Sequence, residues 1–212
     1  MIPLRLEGKK RFIGPLDAKS VEVICKWRRW INIIYHDVDK LKMDKYVYEQ
    51  VSKIIKKNKK INEPNIFRTF INHGYFTIMI MGVRRQVKSK KDNSISLLKL
   101  LKEMIKKTTI VDYYGFDKKT IERDIKEIED KAERFECIAD RYISHLDEGV
   151  LKEPINVADK EIREIFNCIY LKTSNYYLEF YRKVDHVDKI LLGFKCDKNW
   201  VNIFKTPWIE EK

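Results

Sequence analysis

Glycine and proline are scarce in this 212-residue chain: seven and five residues. So few breakers exclude a fold of many short strands and turns and favour long helices. The four cysteines, Cys25, Cys137, Cys168 and Cys196, show no CxxC spacing, which removes zinc-finger and redox-motif readings and leaves free thiols in a reducing cytoplasm. The N-terminus MIPLRLEGKK lacks the apolar core of a signal peptide. The longest apolar run, Phe76 to Val83, is broken by Thr77 and Gly82 and is too short to span a bilayer, so no membrane association is expected. Neither a Gly-rich phosphate loop nor a G-x-S-x-G elbow is present. His36, Asp37 and Asp39 have no second His or Cys at a helpful spacing, so neither a metal nor another cofactor is expected.

What is present is apolar, aromatic and basic. A hydrophobic fraction of 44% with 12% aromatics is ample for a packed core. The net charge of +12 is lopsided: residues 1–110 carry 26 basic and 10 acidic side chains, residues 111–212 carry 18 and 22. A basic half steers nucleic acid or an acidic protein partner toward it. A lysine-rich helical surface that simply keeps the protein dissolved is the competing reading.

Periodicity gives the architecture. Leu16 to Asn62 contains no Pro or Gly, and Val21, Ile24, Trp27, Ile31, Ile34, Val38 and Leu41 recur at three- and four-residue steps. Val47, Val51, Ile54 and Ile55 continue the pattern, as one helix or as two broken near His36–Asp39. Ile66 to Val87 is apolar nearly all round, which places it at the centre of the fold, with Gly74 and Gly82 allowing close helix approach. Asp92-Asn93-Ser94 offers caps for a short helix with Leu97, Leu98, Leu101, Met104 and Ile105 inward. Beyond a turn at Gly115, a long helix carries Ile121, Ile125, Ile128, Ala132, Phe135 and Tyr142 at near-heptad spacing. Asn156 caps a last long helix with Ile162, Ile165, Phe166, Ile169, Tyr170, Tyr177 and Phe180 inward. The chain reads as an all-α, up-and-down bundle of five to six helices over residues 1–184, with an irregular tail, 185–212, anchored on it by apolar residues such as Trp200, Phe204 and Trp208.

The densest polar cluster is Asp140-Arg141-Tyr142-Ile143-Ser144-His145-Leu146-Asp147, which closes a helix before Gly149. Arg141 and His145 are four residues apart and share a helical face. An arginine there can hold a phosphate and a histidine can move a proton near neutral pH. A structural role competes: histidine is favoured in a last helical turn, where Asp140 or Asp147 can pair with it. Arg84 and Arg85, adjacent and about 100° apart around their helix, offer an anion site or a C-terminal cap. Arg68 and His73 form an R-x4-H spacing, ranked behind His145 because chance produces such pairs readily.

The segments Met81-Gly82-Val83-Arg84-Arg85-Gln86-Val87, Asp92-Asn93-Ser94-Ile95-Ser96-Leu97 and Ala139-Asp140-Arg141-Tyr142-Ile143-Ser144-His145-Leu146-Asp147, with the terminal Trp200…Phe204…Pro207-Trp208, resemble the HEPN-like family of type-U abortive-infection proteins of bacterial phage defence. The resemblance covers roughly residues 60–147 plus the tail. It implies a helical bundle, a homodimer built through long helices, and a metal-independent ribonuclease site in which an arginine steadies phosphate and a histidine handles the proton of the ribose 2′-hydroxyl. It carries over to His145 with Arg141, Asp140 and Asp147, plus Arg84 and Arg85. Here Arg141 and His145 are separated by three residues, where the family motif has four to six, and Asp140 occupies the usual arginine slot. The expectation is therefore a cytoplasmic, HEPN-like protein of antiviral defence or toxin–antitoxin type that binds RNA or an acidic partner with weak or no cleavage. The alternatives are an active ribonuclease using His145 and nearby arginines, and a structural dimerisation module.

Overall fold

The structure, a computed structural model, describes residues 17–58, 66–88, 94–144 and 155–181, with backbone only for 113–114, 134, 137–138, 140–144 and 155–158. Six helices and no strand occur among these residues: α1 (Ala18–Lys57), α2 (Ile66–Val87), α3 (Leu97–Met104), α4 (Thr108–Tyr114), α5 (Lys118–Ser144) and α6 (Ile155–Tyr181). The all-α expectation is met. The first forty helical residues form one unbroken helix, because nothing near His36–Asp39 competes for its backbone and Ile31, Ile34, Val38 and Leu41 keep a single buried face through that stretch.

Caps fix the helix ends. The Asp17 carboxylate accepts the Ser20 amide at 2.9 Å and opens α1. Ser96, not the Asp92–Ser94 triplet, caps α3, its hydroxyl accepting the Lys99 amide at 3.2 Å. Asp117 does the same for α5 through the Thr120 amide at 3.1 Å. The turn expected around Gly115 ends an additional short helix, α4. Gly115 adopts φ 73°, and the amides of Gly115 and Phe116 reach back to the carbonyls of Asp112 and Val111 at 3.0 Å each. That left-handed position suits a residue with no Cβ. Asn156 lies within the first turn of α6, not before it.

Side-chain pairs set the helix directions. Trp27 meets Phe180, Tyr35 stacks on Tyr177 at 4.1 Å, and Glu49 meets Arg163, so α1 and α6 are antiparallel. Leu41 lies against Gly82 and Tyr48 against Tyr75, so α2 returns along α1. Asp124 meets Tyr176 and Glu127 meets Cys168, so α5 opposes α6. The result is an up-down-up-down bundle of α1, α2, α5 and α6, with α3 and α4 inserted between its halves. The core joins Trp27, Ile31, Ile34 and Val38 to Phe76, Met79, Ile80 and Val83, with Leu97, Leu100, Leu101, Met104, Ile128, Phe135, Ile162, Ile165 and Phe180.

The central position expected for α2 is corrected. One face of it is buried, at Tyr75, Phe76, Met79, Ile80 and Val83, while Phe67, Phe70, Ile78 and Met81 are exposed. The two glycines divide in the same way. A Cβ on Gly82 would overlap the side chain of Leu41, whereas one on Gly74 meets nothing within 4 Å. Gly74→Ala is therefore expected to raise the urea midpoint, worth about 0.5–1 kcal/mol from helix propensity. Gly82→Ala is expected to lower it by about 1–2 kcal/mol, because overpacking outweighs the same gain. Equal shifts in the two variants would contradict the packing described.

Candidate functional site: a basic cleft at one end of the bundle

Of the residues singled out in the sequence, His145 and Asp147 lie outside the described residues. Asp140 and Arg141 are placed by backbone alone, in the last two turns of α5. Arg84 and Arg85 are described, and they diverge as adjacent helical residues must. Arg84 reaches α5, its Nη2 and Nε lying 2.6 and 2.9 Å from Glu136 Oε2. Arg85 reaches back to α1, pairing with Asp37 Oδ1 at 2.7 Å. Gln86 binds the other oxygen of Asp37 at 2.6 Å and accepts the Leu97 amide at 3.3 Å. The cleft they border, about 1190 Å³, also holds Lys88 and Lys102 opposite Glu129, Glu133 and Glu136. Cations and carboxylates nearly balance there, and Lys102 is paired with Glu129 at 2.6 Å. The arginines thus tie helices together, and their carboxylate partners compete with any anion. Glu136 precedes Asp140 by four residues, so Arg84 is fastened to α5 one turn before the Asp140–Asp147 segment.

A different cleft has the character of a binding site. It holds about 440 Å³ at the end of the bundle where α1 stops, α2 starts and α6 begins. Lys53, Lys56 and Arg68 line it together with Glu49, Ser52, Asn72, Asp159 and Arg163. Arg163 is held by Asp159 Oδ2 at 2.7 Å and Glu49 Oε1 at 2.9 Å, and Lys45 also bonds Glu49, at 2.8 Å. Burial raises the Glu49 carboxyl, but Lys45 and Arg163 outweigh it and hold the group below its ordinary value. Tyr48 donates to Asn72 Oδ1 at 3.0 Å and stacks flat on Tyr75, ring centres 3.8 Å apart. Burial pushes both tyrosines upward, so both remain proton donors.

Two atoms near this cleft are left over. The Tyr75 hydroxyl and Asp159 Oδ1 are buried and have no hydrogen-bond partner among the described residues. A buried polar group without a partner costs about 1–3 kcal/mol. The Asp159 acceptor shares the cleft with exposed Lys53 and Lys56, which suits a ligand that combines negative charge with hydroxyl or amide groups. Arg68 and Asn72, four residues apart, share the α2 face that lines the cleft. His73 is about 140° from Arg68 around the helix and is exposed, so the R-x4-H spacing does not bring its two ends together.

Sequence reasoning noticed Arg68 and Asn72 only as part of a weak motif, and it passed over Tyr48, Lys53, Asp159 and Arg163. These come from three helices and form no local spacing. Their available signal was the concentration of Lys53, Lys56 and Lys57 where one helix ends before Pro64. Among the described residues no group of His, Cys, Asp or Glu is arranged to hold a metal ion, and no helix is long and apolar enough to cross a membrane. No protein-family model, curated protein or solved structure matches the chain.

Proposed function

We propose that this protein is a HEPN-like helical module that binds RNA through the α1–α2–α6 cleft, with weak or no cleavage of its own. The observation that carries the reading is the cleft itself: Lys53, Lys56 and Arg68 share it with Asp159, one of whose carboxylate oxygens is buried without a partner. Lysine and arginine attract the phosphates, and releasing the counterions condensed on the strand supplies most of the affinity. Asp159 Oδ1 offers an acceptor for a ribose 2′-hydroxyl or a base N–H, the groups by which single-stranded RNA is told from a bare polyanion. The volume accommodates a nucleotide unit.

The test is fluorescence anisotropy with a single-stranded RNA at moderate salt. Replacing Lys53, Lys56 and Arg68 together by glutamate is expected to weaken binding at least tenfold, while replacing Lys118 and Lys119 on the far side of the chain leaves it within twofold. Equal affinity in the wild type and the cleft variant would remove the proposal.

Metal-independent cleavage by His145 with Arg141, Asp140 and Asp147 is the second reading. It draws on the Arg84–Glu136 pair, which brings one arginine to the helix that carries that segment. RNA cleavage in EDTA that is lost in His145→Ala would favour it. Equal cleavage by both proteins, or by neither, would dismiss it.

A further inference from the structure

The cleft between α2, α3 and α5 has an apolar lining and walls of opposite sign. Buried Val87 and Leu98 line it with Ile95, Met81 and Ala132. On α2, Met81, Arg84, Arg85 and Lys88 share one face, at steps of three, four and seven. On α5, Glu129, Ala132, Glu133 and Glu136 repeat the same steps. The groups already paired decide what can enter. Arg84 is occupied by Glu136 Oε2, Arg85 by Asp37, and Lys102 by Glu129. Two acceptors are left on the α5 wall. Glu133 is exposed and has no partner among the described residues. Glu136 Oε1 is buried and also has none among them. The two glutamates are three residues apart, neighbours on the helix surface. The remaining cation, Lys88, belongs to the α2 wall.

We propose that this cleft binds a small amphipathic cation: a protonated amine on an apolar, aromatic body. The ammonium pairs with Glu133, and its charge compensates the neighbouring buried oxygen of Glu136. An apolar surrounding screens that attraction less than water does. The body of the ligand packs against Val87, Ile95, Leu98 and Met81, and the flexible thioether of Met81 adapts to a ring. The volume, about 1190 Å³, lies just above the roughly 300–1,000 Å³ of clefts that enclose drug-sized ligands, and the space between bundle helices is a common place for them. A neutral apolar molecule would leave the Glu136 oxygen uncompensated. An anion would face three carboxylates on α5 while three of the four cations are already held by others. The inference stands apart from RNA binding, because this cleft and the α1–α2–α6 cleft share no lining residue.

Isothermal calorimetry on the full chain tests this with three probes of one shape: naphthylmethylamine, naphthylmethanol and naphthoate. The amine is expected to bind at least about tenfold more tightly than either of the others, the difference a charge-assisted hydrogen bond makes. The net charge of +12 favours the carboxylate at long range, so a preference for the amine reports the local glutamates. Glu133→Gln changes an exposed side chain, so it should leave the melting temperature unchanged and weaken the amine at least about fivefold. Ala132→Trp fills the cleft and should abolish binding of the amine. No saturable binding of the amine, equal binding of the three probes, or tightest binding of naphthoate would each overturn the proposal. So would full amine affinity in either variant.

Discussion

Lys172→Met is expected to destabilise the protein by about 3–5 kcal/mol, the cost of leaving a buried carboxylate without its cation. Lys172 Nζ lies 2.6 Å from Asp124 Oδ1 and 2.7 Å from Glu127 Oε2, and the lysine and Asp124 side chains are each 12% exposed. Tyr176 donates to the other Asp124 oxygen at 2.9 Å. With the ammonium removed, Asp124 keeps one neutral donor in a dry setting. For a chain of this length the loss corresponds to a fall in melting temperature on the order of 10 °C. Replacing the whole group with Asp124→Leu, Lys172→Met and Tyr176→Phe should recover most of it, because apolar packing of similar volume substitutes well for a buried ion pair. A triple variant no more stable than Lys172→Met would show that the charges themselves hold α5 to α6.

The same group sets a pH dependence. Burial opposes the charge on Lys172, but the hydrogen bonds to Asp124 and Glu127 outweigh it and raise the ammonium above its ordinary 10.5. The Lys172 bond chiefly lowers Glu127 below its ordinary 4.5. The lysine contribution is thus complete below 10.5 and disappears as pH rises through the raised value. The Glu127 contribution is complete above 4.5 and disappears as pH falls through the lowered value. The Cys168 thiol, pushed up to about 11 mainly by burial and further by Glu127, stays protonated in between.

Trp27→Ala is expected to cost about 3–5 kcal/mol, through the cavity left by a large core side chain. Trp27 is fully buried, its ring edge-on to Phe180 with centres 6.5 Å apart. Its indole Nε1 donates to Glu103 Oε1 at 3.0 Å, tying α1 to the end of α3. Trp27→Phe, which keeps most of the volume but removes the donor, should cost about 1 kcal/mol from the hydrogen bond plus a smaller packing loss. Glu103 retains Lys26, which lies 2.8 Å from both carboxylate oxygens. Thermal unfolding of the two variants separates the cavity from the bond. Equal losses would place the stabilisation in the hydrogen bond and not in the buried ring.

Local spacing made most of the helical architecture legible. Ile24, Trp27, Ile31, Ile34, Val38 and Leu41 were readable at three- and four-residue steps, and all six are buried; Ile121, Ile125, Ile128 and Phe135 on α5 behave alike. Val21 and Val47 extended the α1 pattern on paper but are exposed, because α6 and α2 cover only part of that long helix. Periodicity failed at α2 for a definite reason. An apolar face is the same in sequence whether a neighbouring helix or another molecule covers it, so the Phe67–Met81 stripe read as core. The Asp124–Lys172 pair and the basic cleft were invisible for the opposite reason: their members are far apart in the chain, and only the antiparallel return of α6 on α1 and α5 joins them. Arg84 and Arg85 were legible as adjacent, divergent arginines, but their partners Glu136 and Asp37 were not. The tail at 185–212 lies outside the described residues.

The central claim is that the cleft formed by α1, α2 and α6 binds the phosphate backbone of RNA. The most direct measurement is the slope of log affinity against log salt for single-stranded RNA, in the wild type and in a Lys53→Gln/Lys56→Gln variant. The account predicts a steep fall with salt in the wild type and a shallower one in the variant, the slope decreasing by about 0.7 for each phosphate contact removed. Parallel slopes, or a wild-type affinity unchanged by salt, would contradict it.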